Sequence, residues 1–249
     1  MSNHILAPEL EARMRPLVID TPCRARLGKV NRALCQGSLL LILQLTTGCG
    51  TVLFRSNFDA TAINQPPAHQ QTVGTVTIEG GVRVAAVPDT SSKGVRFSRI
   101  SGSNSAVLHC DLSKPAGDGT YVFSTLLFFP SGSGGLVTIQ FERFGGGERF
   151  LHLDFPGDRV RIDDDPSTTF GHFPRDQVFV VQVTLTINES PRAHIVLSGA
   201  GASGEADRNV SPELRPIAQQ FGAVRISTGL EADESSFFAT NIVVRRKSQ

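Results

Sequence analysis

Short runs rich in valine, isoleucine, phenylalanine and threonine recur along the chain after residue 50, separated by clusters of glycine, proline, asparagine and aspartate. This pattern is typical of β-strands joined by turns. Residues 178–188 alternate most regularly, with Phe179 and Val181 on one face and Gln182 and Thr184 on the other. One apolar and one polar face indicate an antiparallel sheet. Strands are predicted at residues 51–58, 74–79, 82–87, 95–101, 106–112, 121–129, 136–144, 148–155, 158–163, 178–188, 192–198, 223–230 and 237–246.

About a dozen short strands at this spacing predict an all-β fold, an antiparallel β-sandwich. Residues 212–221 are the one candidate for an amphipathic helix. The opening segment LFRSNFD at residues 53–59 and the closing segment FFATNIVV at residues 237–244 resemble those of the concanavalin A-like jelly rolls. That group includes laminin-G-like domains, legume lectins and some glucanases and polysaccharide lyases. The resemblance implies that the first and last strands pair side by side, and that a ligand binds on a concave sheet.

The stretch before the strands has a different character. Residues 39–45 are strongly apolar, four basic residues lie between positions 24 and 32, and Gly48 directly precedes Cys49. A basic flank, a short apolar core and a small residue are the parts of a secretory signal. With its cysteine, the sequence LTTGC at residues 45–49 resembles a bacterial lipoprotein signal. In that family the peptide is cut before the cysteine, and the thiol carries a diacylglyceryl group.

This resemblance predicts the domain organisation and the location. Residues 1–48 are expected to be a leader, with Met14 as an alternative start because residues 1–13 lack signal character. Residues 49–249 are expected to form a single β-sandwich domain. The lipid on Cys49 would anchor it in the bacterial cell envelope, and Gly50 after the cysteine favours the outer membrane. The apolar run is too short for a transmembrane helix, which needs about 20 residues.

Removal of the leader also changes the charge and the cysteine count. The leader takes six basic and three acidic residues, so 18 basic and 20 acidic residues remain and the net charge is about −2. A nucleic-acid partner normally requires a basic surface, so none is predicted. Cys23 and Cys35 leave with the leader and Cys49 carries lipid, which leaves Cys110 as the one other thiol. In the strand VLHCDL it is predicted to be buried and free.

Turn chemistry predicts one polar surface in the middle of the chain. If the three glycines at residues 145–147 form a three-residue hairpin loop, Thr138 lies opposite Asp154, Gln140 opposite His152, and Glu142 opposite Phe150. If Pro156 and Gly157 then form a two-residue turn, Asp154 lies opposite Arg159 and His152 opposite Arg161. The predicted ligand-binding residues are Gln140, Glu142, His152, Asp154, Arg159 and Arg161.

Two interpretations of this surface remain open. Its arginines could hold an acidic sugar through paired hydrogen bonds, and its carboxylates could act with the histidine in acid–base chemistry. Alternatively, it is a solvated sheet face tied by cross-strand ion pairs, each contributing no more than about 1 kcal/mol. The chain has no tryptophan and one tyrosine, so an aromatic sugar platform would have to use phenylalanines such as Phe170 or Phe173.

The sequence therefore predicts a lipid-anchored envelope protein whose sandwich is a non-catalytic binding or structural module. Its expected partner is a glycan or another envelope protein. The alternative is a polysaccharide-active enzyme, a hydrolase or lyase, that uses Glu142, His152 and Asp154. The glucanases of this fold carry a Glu-x-Asp-x-Glu motif on one strand, and no strand here has it. No cofactor or metal is predicted, with Ca²⁺ at the three aspartates of residues 163–165 as the alternative, because Ca²⁺ takes several carboxylate oxygens.

Overall fold

The protein is described by a computed structural model, and the described residues are 50–99, 104–229 and 235–248. The predictions of a leader at residues 1–48 and of a lipidated Cys49 lie outside these residues. Within them, no helix is both long and apolar enough to cross a membrane.

The described part of the chain contains fifteen strands, one 3-10 turn and one short α-helix. The strands are β1 (Gly50–Ser56), β2 (Thr75–Glu79), β3 (Val82–Ala86), β4 (Lys93–Arg99), β5 (Val107–Asp111), β6 (Gly119–Phe128), β7 (Val137–Arg143), β8 (Arg149–Asp154), β9 (Val160–Ile162), β10 (Asp165–Phe170), β11 (Val178–Ile187), β12 (Arg192–Ser198), β13 (Gly204–Asn209), β14 (Phe221–Thr228) and β15 (Ser235–Lys247). A 3-10 turn at Pro212–Leu214 leads into the single-turn helix α1 (Arg215–Ala218).

The strands form two antiparallel sheets. Sheet 1 has the order β13-β12-β11-β6-β15-β4-β3, and β1 also pairs with β15. Sheet 2 has the order β10-β9-β8-β7-β14-β5-β2. The first and last strands lie side by side, with Gly50 opposite Lys247 and Ser56 opposite Ile242. The predicted antiparallel β-sandwich with the strand arrangement of a concanavalin A-like jelly roll is therefore confirmed.

Phenylalanine side chains fill the space between the sheets. Phe129 packs against four other rings, with centroid separations of 5.0 to 5.8 Å. Among the described residues, only Ile63 and Phe144 are large apolar side chains that are exposed. Cys110 is a buried free thiol, as predicted. Burial, and then the charge of Asp111, raise the pKa of Cys110, so it is a poor nucleophile.

Two strands were not predicted, and both lie at sheet edges. Strand β10 is an edge strand of sheet 2, and β13 is an edge strand of sheet 1. Their sequences, DPSTTF and GEADRN, contain almost no alternating apolar residues. An edge strand is held by backbone pairing along one side, and a polar sequence protects its free side from pairing with other chains. The hydrophobic pattern therefore carries no signal for these strands.

The register of the β7–β8 hairpin is partly as predicted. Thr138 lies opposite Asp154 and Gln140 opposite His152. Glu142 lies opposite Arg149, so its predicted pairing with Phe150 is wrong. A β-bulge shifts the register at this point. Side chains on a strand alternate between its two faces, so without the bulge Phe150 would lie on the polar face with His152. With the bulge, Phe150 points into the core and is only 2% exposed.

The predicted register of the next hairpin is wrong. Asp154 lies opposite Arg161, and Leu153 lies opposite Ile162. The connection is longer than a two-residue turn, because residues 156–159 form a β-turn in which the Arg159 N–H donates to the Pro156 carbonyl. Arg159 is exposed in this turn, before β9 begins. It is therefore separated from the other predicted site residues.

Candidate ligand-binding site

The outer face of sheet 2, here called the polar face, carries polar side chains across neighbouring strands. In its central row Thr77 of β2, His109 of β5, Arg225 of β14, Gln140 of β7 and His152 of β8 lie opposite one another in successive strand pairs. The intervening residues of these strands point into the core. Sheet 2 is therefore apolar towards sheet 1 and polar on its outer side.

Five of the predicted site residues lie on this face, and all of them except Arg161 are buried. Gln140, Glu142, His152 and Asp154 are at most 8% exposed. Longer side chains around them are more accessible, and the Arg149 and Asp164 side chains are 46% and 48% exposed. The interpretation of a fully solvated face is therefore wrong for the centre of the surface, which is a packed polar network with an accessible rim.

The His152 cluster consists of His152, Asp154, Arg149, Arg161 and Asp164. Arg149 Nη1 lies 2.8 Å from His152 Nδ1 and its Nη2 donates to Asp164 at 2.9 Å. A guanidinium can only donate, so His152 Nδ1 accepts and the ring proton is assigned to Nε2. That nitrogen lies 2.8 Å from Asp154 Oδ1, although the two atoms are not aligned as a hydrogen bond.

Asp154 is the buried charge at the centre of this cluster. Its other carboxylate oxygen accepts hydrogen bonds from Arg161 Nη2 at 3.0 Å and from Arg161 Nε at 3.3 Å. Burial by itself would raise the pKa of Asp154, but the contacts with His152, Asp164 and Arg161 outweigh it and hold the pKa below its ordinary value. The carboxylate is therefore ionised at neutral pH, and the strand register determines which arginine compensates it.

The three aspartates at residues 163–165 do not form a joint calcium site. Asp163 and Asp164 occupy the left-handed region, with φ of 54° and 59°, as in a two-residue type I′ hairpin turn. Asp163 accepts from the His152 backbone and from Arg208, Asp164 accepts from Arg149, and Asp165 accepts from Ser167. Each carboxylate therefore has a different partner.

Among the described residues, one group of potential metal ligands does come together: His152, Asp154 and Asp164, whose donor atoms lie within 4.8 Å of one another. However, Asp154 contacts Nε2 of the ring and Asp164 contacts Nδ1. Arg149 and Arg161 already compensate the two carboxylates. A divalent cation would add two positive charges beside two guanidinium groups, so this arrangement favours an ion-pair network.

The separation of Glu142 and Asp154 can be compared with that of the two carboxylates of a glycosidase. Asp154 lies opposite Thr138, four residues along β7 from Glu142, which corresponds to about 13 Å at roughly 3.3 Å per residue. Glycosidases place their two carboxyl groups about 5 to 9.5 Å apart. Glu142 moreover leans away from β8, because its Oε2 lies 3.8 Å from His109 Nδ1 on β5. These two carboxylates are therefore poorly placed to act as a hydrolytic pair.

Several residues of the polar face were not predicted. Arg225 donates to Gln140 at 3.2 Å, and the hydroxyls of Ser227 and Thr138 lie 2.7 Å apart. The alternation in the β14 sequence FGAVRIST places Arg225 and Ser227 on one face. The local sequence does not indicate that β14 lies beside β7, because the pairing joins residues 89 positions apart.

The two phenylalanines considered for a sugar platform, Phe170 and Phe173, do not provide one. Phe173 is fully buried and stacks on Phe179 with a centroid separation of 4.9 Å, so it is not available to stack on a sugar. Phe170 is partly buried and packs against the core. A ligand of the polar face would therefore be held mainly by hydrogen bonds.

Two cavities lie away from the centre of this face. One, of about 550 Å³, is lined by Arg96, Phe128, Phe238 and neighbouring residues of sheet 1. The other, of about 270 Å³, lies at the rim of the His152 cluster and includes Arg149, Asp163 and Arg208 in its lining. The larger cavity has its own hydrogen bonds, among them Arg96 to Ser236 at 3.0 Å. We place the candidate site on sheet 2 because the predicted site residues that meet lie there.

No protein-family model and no curated protein matches the sequence. Among solved structures, the chain is similar to arcelin-5, a lectin-like defence protein from Phaseolus vulgaris, at 9% identity over 73% of this chain and 96% of that chain, with a TM-score of 0.46. It is similar to a GH131 β-glucanase catalytic domain from Podospora anserina at 13% identity over 80% and 98% of the chains, with a TM-score of 0.49.

A third similar structure is the alginate lyase vAL-1 from Chlorella virus, at 11% identity over 70% of this chain and 93% of that chain, with a TM-score of 0.47. All three TM-scores are below 0.5. The assignment of the fold rests on the two sheets and their strand order.

Proposed function

We propose that the protein is a lipid-anchored component of the bacterial cell envelope whose β-sandwich binds a glycan on the polar face of sheet 2 without cleaving it. The observation that carries the glycan proposal is the central row of polar side chains across five neighbouring strands. Guanidinium, amide and imidazole groups placed side by side suit a ligand with many hydroxyl groups. Exposed apolar side chains, which an assembly surface would need, are few in the described residues.

Glycan binding is tested with an array of neutral and acidic oligosaccharides and the purified full-length chain. The wild-type protein is expected to bind at least one class of oligosaccharide. Arg225→Ala should weaken that binding about tenfold, because a hydrogen bond to a charged group contributes about 1.5 to 3 kcal/mol. Arg225 is only partly buried and donates to Gln140 on the polar face.

The matched control is Arg192→Ala, which removes an exposed arginine from β12 of sheet 1. It should leave the affinity unchanged. Failure of the wild-type protein to bind any oligosaccharide would reject the glycan proposal, as would equal losses in the two variants.

Lipid anchoring is tested by labelling with radioactive palmitate in a bacterial host. The wild-type chain is expected to incorporate label and to remain with the membrane fraction. Cys49→Ser should abolish both, because no thiol remains at the processing site. Cys35→Ser, within the proposed leader, is the control and should be labelled normally. Labelling of the Cys49→Ser variant, or a wild-type chain that stays uncleaved and unlabelled, would contradict the proposal.

A further inference from the structure

Two arginines lie directly opposite each other on the outer face of sheet 1. Arg83 of β3 is in register with Arg96 of β4, and both side chains are exposed. Within the described residues, neither arginine forms an ion pair with a carboxylate. Like charges directly opposite each other destabilise a sheet. The two arginines therefore do not stabilise the free protein through their charges, and the positive charge at this point is available to a ligand.

The same row of side chains continues from the arginines to two aromatic rings. Arg96 lies opposite Phe238 of β15, and Phe238 lies opposite Phe128 of β6. The two rings meet edge to face with a centroid separation of 5.7 Å. Phe238 is only partly buried, so part of its ring is at the surface. A positive charge and an apolar ring therefore lie on adjacent strands, about 4.8 Å apart.

The cavity of about 550 Å³ lies over this part of the sheet, and Arg96, Phe128 and Phe238 all belong to its lining. Its volume is within the range of small-molecule sites, about 300 to 1,000 Å³. Serine hydroxyl groups both donate and accept hydrogen bonds, so they suit a ligand that carries hydroxyl groups. Five serines line the cavity, namely Ser98, Ser131, Ser133, Ser235 and Ser236.

The guanidinium of Arg96 is oriented by a hydrogen bond to the neighbouring strand, in which Nε donates to Ser236 Oγ at 3.0 Å. Ser236 is itself held in place, because its backbone N–H donates to Ser133 Oγ and its carbonyl accepts from the same hydroxyl, both at 2.7 Å. Within the described residues, Nη1 and Nη2 of Arg96 have no acceptor. A guanidinium in this state can bind a carboxylate through two parallel hydrogen bonds.

Asp176 also lines the cavity, but it lies on the side away from Arg96. It directly precedes β11, which is three strand spacings from β4, or about 14 Å. Its two carboxylate oxygens accept from the hydroxyl and the backbone N–H of Ser131, and these hydrogen bonds lower the pKa of Asp176. The cavity is therefore negative on one side and positive on the other. An acidic ligand would place its anionic group beside Arg96.

We propose that this cavity is a second ligand site, which binds one carboxylated residue of an acidic sugar. The sugar carboxylate accepts from Nη1 and Nη2 of Arg96, the apolar face of the sugar ring packs on Phe238, and the sugar hydroxyls bond the serines. The site is on the outer face of sheet 1. It is therefore separate from the polar face of sheet 2 and does not depend on glycan binding there.

The test is calorimetric titration of the full-length chain with trimers of galacturonate, guluronate and mannuronate and with their methyl esters. The esters keep the rings and hydroxyl groups but carry no charge. The wild-type protein is expected to bind at least one acidic trimer about tenfold more tightly than its ester, the difference expected for hydrogen bonds to a charged group. Arg96→Ala should remove this preference. Arg96→Lys keeps the charge but not the paired hydrogen bonds, so its preference should be intermediate.

The matched control is Arg192→Ala, which removes an exposed arginine from β12 of the same sheet, with three strands between β12 and β4. It should bind the acidic trimers like the wild type. A second measurement tests whether Arg96 stabilises the fold. Arg96→Ala should change the midpoint of thermal unfolding of the free chain by no more than about 2 °C. A larger fall would show that Arg96 is a structural residue and would overturn its assignment to the ligand.

The remaining outcomes separate this site from the polar face. If the wild-type chain binds none of the acidic trimers, or binds acid and ester equally well, the second site is wrong. It is also wrong if Arg225→Ala weakens binding of the acidic trimer and Arg96→Ala does not, because the acid then binds on the polar face. Glycan binding on the polar face is decided separately, by the oligosaccharide array with the Arg225→Ala variant.

Discussion

Replacing Arg161 with alanine is expected to lower the free energy of unfolding by about 3 kcal/mol, because removing one partner of a buried ion pair leaves the other charge uncompensated. Asp154 is fully buried, and the Arg161 guanidinium donates to it through two nitrogens. The measurement is urea-induced unfolding of the full-length chain, followed by circular dichroism.

Arg159→Ala is the matched control for this prediction. Arg159 lies two residues earlier on the same hairpin and is exposed in the turn, so its replacement should change the free energy of unfolding by no more than about 0.5 kcal/mol. A two-residue turn at Pro156 and Gly157 would make Arg159 the partner of Asp154. A larger loss for Arg159→Ala than for Arg161→Ala would therefore contradict the β8–β9 register described here.

The second large effect is expected in acid. The pKa of Asp154 is lower in the folded chain than its ordinary value, so the unfolded chain binds the proton more readily. The stabilisation is therefore present above the unfolded pKa of about 3.9 and is lost as the pH falls through the folded pKa. Below about pH 4, this group should reduce the free energy of unfolding by up to roughly 1.4 kcal/mol per pH unit.

The measurement is the free energy of unfolding between pH 6 and pH 2 for wild type and for Asp154→Asn. In the acid range, the free energy of unfolding of the variant should depend less steeply on pH than that of the wild type. The difference corresponds to the binding of about one proton on unfolding. Asp207→Asn is the control, because the Asp207 side chain is 83% exposed in its pair with His194, and its slope should match that of the wild type. An unchanged slope in Asp154→Asn would show that Asp154 is not stabilised in its ionised form.

The sequence was informative wherever one face of a strand is buried. Strands such as β11 and β7 alternate between apolar and polar residues, and their positions could be predicted from hydrophobicity alone. The pairing of Gln140 with His152 followed from the glycine loop that connects their strands. Local turn chemistry and local hydrophobicity agreed there, so this part of the candidate site could be predicted.

The rest of the candidate site depends on interactions that no local pattern encodes. The strands β14 and β5, which follow β7 in the sheet, are distant from it in the chain. The positions of His109 and Arg225 on the polar face could therefore not be predicted. The bulge at Glu142 arises because Phe150 is turned into the core. The turn after Pro156 is longer than its dipeptide signal implied. In each case tertiary packing determined a register that turn residues alone left undetermined.

The most direct test of glycan binding on the polar face is a crystal structure of the full-length chain with a bound oligosaccharide. Sugar density is expected over β5, β14 and β7, with contacts to Arg225. Density confined to the cavity of sheet 1 beside Phe128 and Phe238 would contradict it.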